Sequence, residues 1–330
     1  MKKRQLGDSD LYVSEIGLGS WLTYSGGIEQ EQIEACTKAA YEVGINFFDT
    51  ANAYGKGASE EAWGHILSQY PRDSFVLATK VFFPMSNTDK GLSSKQINKQ
   101  IDASLKRLST DYVDLYQCHR YDPTVPIEET MEALTEVVKS GKARYIGFSE
   151  WTPDQIRAGL EVTDSVKFVS SQPQYSMLWR GPEQTIFKLC QDNKISQIVW
   201  SPLAQGVLTG KYKPGEQPPE DSRAGSSQMN VSMDRFMSDK TLTAVQLLLP
   251  IANSLGCSMS QLALAWVLRR KEVASAIIGA SRPEQIKENI KASEIELDRS
   301  ILDKIDEVLG DSVVYEDRVI ERGNDIKHRT

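Results

Sequence analysis

Metal-binding and disulfide chemistry have little to work with in this sequence. The four cysteines, Cys36, Cys118, Cys190 and Cys257, lie far apart and form no CxxC pair. The three histidines, His65, His119 and His328, show no HxxxH spacing. This argues against a zinc site and suits a reducing compartment, with the cysteines as core residues; no metal is expected. Positive charge is in deficit as well. Lys and Arg number 38 against 45 Asp and Glu, a net charge of -7, whereas a nucleic-acid binder usually carries a basic face. Long apolar runs are also missing. The stretch from Leu242 to Ala252 contains Pro250 and is too short to span a bilayer. The opening residues, Met1 to Gly7, run straight into polar positions without the apolar core of a signal peptide. Neither nucleic acid nor membrane is expected as a partner, and the cytoplasm is the expected location.

What is present is an ordinary globular composition, 40% hydrophobic and 25% charged over 330 residues. That length suffices for one large α/β domain or two ordinary ones. Short apolar runs alternate with helical segments, which reads as buried parallel strands joined by helices. The first strand is predicted at Glu15–Gly19 and its helix at about Glu29–Val43. The second strand ends at Asp49 and is followed by a helix at about Ser59–Gln69. The third ends at Lys80, with a helix at about Ser94–Leu108. The fourth ends at His119, with a helix at about Ile127–Ser140, closed by Gly141. The fifth covers Ala143–Phe148 and ends at Ser149; its helix starts at Thr152-Pro153, a cap followed by proline at the first helical position. The sixth covers Phe168–Ser171 and ends at Gln172, with a helix at about Gly181–Asp192. The seventh runs from Gln197 to Trp200 and ends at Ser201, and the eighth from Ala276 to Ile278, before Gly279 and a helix at Pro283–Ala292.

Eight such units with no linker predict a single domain over residues 1–330, and they close most simply into a (β/α)8 TIM barrel. An open doubly wound sheet would want GxGxxG after the first strand, where the chain has only Gly17-Leu18-Gly19-Ser20. Arg4-Gln5-Leu6 and Leu11-Tyr12-Val13, flanking Gly7-Asp8-Ser9, predict an N-terminal β-hairpin that plugs the barrel bottom. The stretch from Pro202 to about Asp239 is rich in Pro and Gly and lacks periodicity. It predicts a long functional loop after strand seven, on the active rim.

Three of the apolar runs end on an ionisable side chain: Asp49, Lys80 and His119, with Tyr54 five residues after Asp49. Strand ends in α/β folds are where chemistry is placed. Singly, Asp49 reads as a strand-end cap, Lys80 as a snorkelling surface lysine and His119 as a hydrogen-bonded rim residue. Together they suit proton donation to a carbonyl that receives a hydride. A lysine cation beside a phenol favours the phenolate, an aspartate holds the ammonium, and a histidine hydrogen-bonds the carbonyl oxygen. A different use, Lys80 as a Schiff-base nucleophile in a lyase, is a chemistry that other barrels support.

Gly44-Ile45-Asn46-Phe47-Phe48-Asp49-Thr50-Ala51 with Tyr54-Gly55 resembles the signature of the aldo-keto reductase superfamily. So do Leu105-Lys106-Arg107-Leu108 with Tyr112-Val113-Asp114-Leu115, and Ile146-Gly147-Phe148-Ser149. The similarity covers nearly the whole chain. Gly17-Leu18-Gly19-Ser20-Trp21, Thr79-Lys80-Val81-Phe82, Trp200-Ser201-Pro202-Leu203-Ala204 and Leu255-Gly256-Cys257 bring it nearest the branch of potassium-channel β subunits and their bacterial relatives.

The resemblance implies NADP(H) extended across the rim and reduction of aldehydes or ketones. Tyr54 is then the general acid, Lys80 and Asp49 tune it, and His119 orients the carbonyl. Channel β subunits often lack a histidine at that place, so His119 implies a working reductase. Ser149 and Gln172 match residues that hold the nicotinamide amide; Glu150 stands where relatives commonly have Asn or Arg. Trp21 belongs to the same implied cofactor set. Trp200, Ser201, Pro202, Leu203, Gly206 and Lys211 match the loop over the pyrophosphate, with Arg223 reaching the adenosine phosphate. Gly279, Ser281, Gln285, Glu288 and Asn289 match the adenosine segment. Many family members have Lys at Gly279 and Arg at Gln285, both serving the 2′-phosphate; this chain has neither. NADPH is still the expected cofactor, with Lys211, Arg223, Ser281 and Arg282 as phosphate contacts and NAD(H) as a secondary one.

Trp21, Phe82 and Trp151 either line a substrate pocket or pack the rim. Met229, Met233, Phe236 and Met237 either cover the substrate or begin the next helix. The partner expected is a small carbonyl substrate. The branch includes tetramers, so a homo-oligomer is compatible with it. A regulatory, cofactor-sensing subunit with weak turnover is the alternative function.

Overall fold

The computed structural model describes residues 1–21, 24, 29–226, 230 and 233–315. Eight parallel strands close into a barrel: β3 (Ile16–Gly19), β4 (Phe47–Asp49), β5 (Val76–Val81), β6 (Val113–Cys118), β7 (Ala143–Phe148), β8 (Phe168–Ser171), β9 (Ser196–Val199) and β10 (Val273–Ile278), with β10 pairing back onto β3. The N-terminal pair β1 (Lys3–Gln5) and β2 (Tyr12–Ser14) forms a separate antiparallel ribbon. The (β/α)8 expectation and the hairpin both hold, with the carboxyl ends of the strands within a residue or two of those predicted and the last strand starting three residues earlier, at Val273.

The hairpin closes the barrel floor, as its apolar positions foretold. Leu6, Leu11 and Val13 share an interior cluster with Phe47, Leu115, Val169, Ile198 and Ile277. Arg4 pins the ribbon from outside. It donates to Glu15 Oε1 (2.8 Å) and to the carbonyls of Leu268, Arg270 and Val273 at 2.6–2.8 Å. Asn46 ties the ribbon to β4, accepting from Ser14 N at 2.7 Å and donating to Tyr12 O at 2.8 Å.

Helices sheath the barrel: α1 (Gln30–Glu42), α2 (Ala58–Leu67), α3 (Ser94–Arg107), α4 (Ile127–Lys139), α5 (Pro153–Glu161) and α6 (Ile186–Asp192) follow strands as predicted. Thr152 caps α5 with a full capping box, its hydroxyl accepting from Gln155 N. After β9 come α7 (Asp239–Gln246), where a helix was expected after the loop without stated bounds, and α8 (Leu249–Ser254) and α9 (Met259–Leu268), which were not predicted. All ten residues of α9 except Ser260 are buried, so it lacks the one-sided pattern that marks a surface helix. After β10 come α10 (Pro283–Asn289) and α11 (Arg299–Leu309), the latter also unpredicted. Among the described residues no single helix is long and apolar enough to cross a membrane. His328 and Met229 lie outside the described residues, as do the last fifteen positions of the expected domain.

Met233 and Phe236 are buried, and Asp234–Phe236 forms a single turn ahead of α7. Neither residue lines the cavity, and both precede the helix. Of the two readings open for Trp151, the structure takes the packing one. Trp151 is 1% exposed, stacked on Phe148 (5.2 Å between centroids) and set edge-on to Phe168 and Tyr121. Aromatic packing outside the barrel claims it, and it does not line the pocket.

Gly7 sits at φ +56°, and a Cβ there would fall 2.3 Å from Val169 O. Gly7→Ala is therefore expected to destabilise the fold by roughly 2–3 kcal/mol through left-handed strain and the clash with the barrel floor. Urea unfolding checks this; an unchanged midpoint would contradict the plug.

Candidate active site

The strand register delivers four side chains to one spot. Asp49 is the last residue of β4, Lys80 lies near the end of β5, and His119 follows β6 directly. Tyr54 comes from the tight turn Tyr54–Gly57. That turn needs left-handed backbone at Gly55, Lys56 and Gly57, and a Cβ on Gly57 would meet Arg107 Cδ at 2.6 Å. Glycine at 57 thus allows α2 to start immediately and holds Tyr54 over the rim.

Lys80 is fully buried and donates to Asp49 Oδ1 at 2.5 Å and to Thr50 O at 2.7 Å. Its ammonium lies 5.2 Å from the centroid of the Tyr54 ring. The second oxygen of Asp49 accepts from Gln172 Nε2 (2.9 Å) and Gln117 Nε2 (3.2 Å). A buried carboxylate with this set of donors is the arrangement that makes burial of a charge tolerable. Tyr54 Oη lies 3.5 Å from His119 Nε2. The His119 ring is edge-on to Phe83, 4.7 Å between centroids.

Burial governs the proton affinities. It would depress Lys80, but the charge of Asp49, together with the hydrogen bond that Lys80 donates to it, outweighs this, so the lysine stays a cation. Burial raises Tyr54 above the ordinary phenol value, and Lys80 opposes that only in part. Lys80 thus acts in the expected direction while burial sets the net sign, and the phenol is a protonated donor at neutral pH. His119 is held well below the ordinary imidazole value by burial, with the Lys80 and Arg120 charges adding to it. Its ring is neutral at pH 7.

A cavity of about 1770 Å³ opens over these groups. Trp21, Phe82, Ser149, Gln172, Trp200, Ser201, Pro202, Leu203, Gly206, Lys211, Arg223, Gly279, Ser281, Arg282, Gln285, Glu288 and Asn289 all line it, together with Asp49, Tyr54 and His119. Lys80 lies behind them. The loop after β9 turns through left-handed backbone at Ser201, Ala204, Gln205 and Gly206, and all of these but Ala204 line the cavity. Strain concentrated at a pocket wall is a usual mark of a ligand site. Arg223 stands over the Trp21 ring, 5.0 Å from its centroid, so this loop reaches the loop after β3. Burial draws the Arg223 guanidinium down to about 10.

Some expected contacts are engaged within the protein. Gln172 turns its amide nitrogen to Asp49, and Ser149 donates to Gln172 O at 2.8 Å. Gln285 Oε1 accepts from Ser281 N (2.8 Å) and closes that turn. Glu150, on left-handed backbone, accepts from Gln174 N (2.6 Å) and Trp200 Nε1 (2.7 Å). The sequence reading missed Gln117, Phe83, Arg120 and Arg235. Gln117 was detectable as a polar residue two places before His119 on a buried strand. Arg120 was detectable as a charge adjoining it. Arg235 comes from the aperiodic loop and left no signal.

The model for the Aldo/keto reductase family matches residues 15–310. Among curated proteins the chain is similar to a putative voltage-gated potassium channel subunit beta of Schizosaccharomyces pombe, 42% identical over 93% of this chain and 92% of that one. It is also similar to probable voltage-gated potassium channel subunits beta of Arabidopsis thaliana, 40% identical over 94% and 97%, and of Oryza sativa, 38% over 94% and 97%. Among solved structures it resembles a thermostable aldo-keto reductase, Tm1743, in complex with the inhibitor epalrestat. That match has a TM-score of 0.75 and 27% identity, covering 93% of this chain and all of that one.

The depressed affinity of His119 carries a sign that can be checked. A histidine whose folded value lies below its unfolded value adds stability above the unfolded pKa of about 6.5 and loses it as pH falls below that. In imidazole NMR, the resonance removed by His119→Gln is expected to stay neutral at pH about 6. Titration at the ordinary histidine value would contradict the site as described.

Proposed function

This chain belongs to the aldo/keto reductase family, and from that premise we propose that it reduces aldehydes or ketones to alcohols with NADPH. The observation that carries the reading is the buried Lys80–Asp49 pair beneath a protonated Tyr54 and a neutral His119. The cavity fits the cofactor. It extends from these groups to the 279–289 segment and is lined by Lys211, Arg223 and Arg282, cations suited to phosphates. Gln205 Oε1, on that wall, is buried without a hydrogen-bond partner among the described residues. In this reading Ser149, Gln172 and Trp21 border the nicotinamide, and Ser281, Glu288 and Asn289 border the adenosine. A bound reduced nicotinamide supplies the hydride.

The chain's own residues handle the proton. A substrate carbonyl set against Tyr54 Oη and His119 Nε2 accepts two hydrogen bonds, since a neutral imidazole can donate from Nε2. As negative charge develops on the oxygen, Tyr54 transfers its proton and becomes a phenolate. The Lys80 ammonium, fixed by Asp49, stabilises that phenolate until water reprotonates it. Burial keeps the proton on Tyr54 before reaction, and Lys80 lowers the cost of releasing it.

The Schiff-base reading of Lys80 loses support. Its ammonium is fully buried, holds a carboxylate and keeps its proton, whereas an amine nucleophile must be neutral and reachable. The regulatory reading keeps one observation in its favour, the names of the channel-subunit relatives. It predicts tight NADPH binding without turnover.

Tyr54→Phe is expected to lower kcat for aldehyde reduction by roughly a hundred- to ten-thousandfold while NADPH binding persists. Loss of NADPH absorbance against a panel of aldehydes measures the first, and fluorescence titration the second. Undiminished turnover in the variant would overturn the mechanism. Binding without turnover in the wild type would favour the regulatory reading.

A further inference from the structure

The loop between β5 and α3 closes on itself beside the reacting groups. Gly91 N donates to Phe82 O at 2.7 Å, so residues 82–91 leave the strand end and return to it. The loop brings two aromatic rings to the cavity, Phe82 and Phe83, with centroids 5.3 Å apart. Phe83 is the one that meets the site. Its ring is edge-on to His119 at 4.7 Å, nearer than the Tyr54 ring at 5.5 Å.

Asp122 holds this loop from the strand end that carries His119. It is buried, three residues beyond His119. Its Oδ2 accepts from Leu92 N at 2.9 Å. Its Oδ1 accepts from Thr124 N at 3.0 Å and Thr124 Oγ1 at 2.6 Å. One oxygen thus serves the loop and the other its own turn. The approach is close: Gly91 sits at φ +84°, and a Cβ there would fall 2.5 Å from Asp122 Oδ2. Glycine is what lets the loop come within reach of the carboxylate. Elsewhere the loop is held by the solvent-facing pair Lys99–Asp89 at 2.7 Å, of a kind that contributes little. The contacts therefore run from Asp122 through Leu92 and Gly91 to Phe82, and from Phe83 to His119.

We infer that Asp122 is a positioning residue of the proposed reductase site: by fixing the 82–91 loop it seats Phe83 against His119 and keeps water from the imidazole that holds the substrate carbonyl. The inference rests on the reductase reading and adds to it a residue that acts only through another. A hydrogen bond to the developing oxyanion is strongest where water is excluded, and Phe83 supplies that exclusion on the side away from Tyr54.

Asp122→Asn isolates the contact. The amide keeps one acceptor oxygen but sets an NH2 group where the second stood, so either Leu92 N or Thr124 loses its acceptor. Gly91→Ala strikes the same contact from the loop, through its Cβ and its left-handed backbone, and changes no charge. In both variants Phe83 is expected to leave His119. The imidazole resonance, assigned by its loss in His119→Gln, then titrates nearer the ordinary histidine value of about 6.5 than it does in the wild type. The groups facing the ring are Lys80 from β5, Tyr54 from its turn and Arg120 beside it, and neither substitution replaces them. The sign of the change is diagnostic. Loss of a carboxylate acting on His119 through space would depress the imidazole further, whereas hydration of the ring raises it. In Asp122→Asn, kcat/KM for aldehydes is expected to fall roughly ten- to a hundredfold, the strength of a hydrogen bond to a charged group, with NADPH affinity as in the wild type. The double variant is expected to lose little more than the weaker single one.

A merely structural aspartate would lower the urea midpoint and leave the His119 titration of the folded protein unchanged. That result overturns the inference, in Asp122→Asn or, should that variant not fold, in Gly91→Ala. Losses in kcat/KM that multiply in the double variant would also contradict it. If the wild type turns over no carbonyl, the reductase reading fails, and the His119 titration still decides whether Asp122 seats Phe83.

Discussion

Everything at the barrel mouth depends on one buried ion pair. Lys80 and Asp49 have both left solvent, and neither could stay charged there without the other. Removing one partner of such a pair typically costs about 3–5 kcal/mol, because the charge left behind is uncompensated. Their surroundings are built accordingly. Gln117 and Gln172 close on Asp49, and Thr50 O and Tyr54 close on Lys80. The pair is thus a fixed dipole, anchored by β4 and β5 and supported from β6 and β8. Its positive end points at the phenol that the proposed reaction uses.

The balance of terms at Tyr54 follows from that fixity. Burial raises the phenol's proton affinity and Lys80 pulls the other way, with burial prevailing. A donor must hold its proton at rest and release it in the transition state. A fixed cation serves the second need without defeating the first, since its interaction is strongest once the phenolate forms. The same fields keep His119 neutral, and a neutral ring can donate to an oxygen without competing as an acid. Burial and fixed charge together divide the roles among four groups that in water would titrate independently.

Much of this was legible in the sequence because parallel strands inside a barrel are apolar on both faces. A charged residue at the end of such a run marks the rim, so Asp49, Lys80 and His119 could be placed before any coordinates. Tyr54 followed from its spacing to Asp49. Thr152-Pro153 announced its helix through capping chemistry, and the hairpin announced itself by alternation around Gly7. What was hidden has physical causes too. Helix α9 is apolar on nearly every face, and α8 carries Pro250 in its first turn, within a run that reads as neither helix nor strand. Arg235 sits in a stretch whose conformation is set by packing against Trp179 and Phe236, not by local pattern. Trp151 could not be assigned because its edge-on packing against Phe168 and Tyr121 is a long-range outcome. The sign of the Tyr54 shift depends on how deeply burial outweighs one cation, which only the packed structure reveals.

The claim that Lys80 and Asp49 act as one unit on Tyr54 is tested most directly by a double-mutant cycle on kcat for aldehyde reduction, using Lys80→Met, Asp49→Asn and the two combined. If the pair works as a unit, each single variant loses nearly as much as the double, and the coupling is large. Losses that simply multiply would mean that the two residues act independently, and would contradict the account.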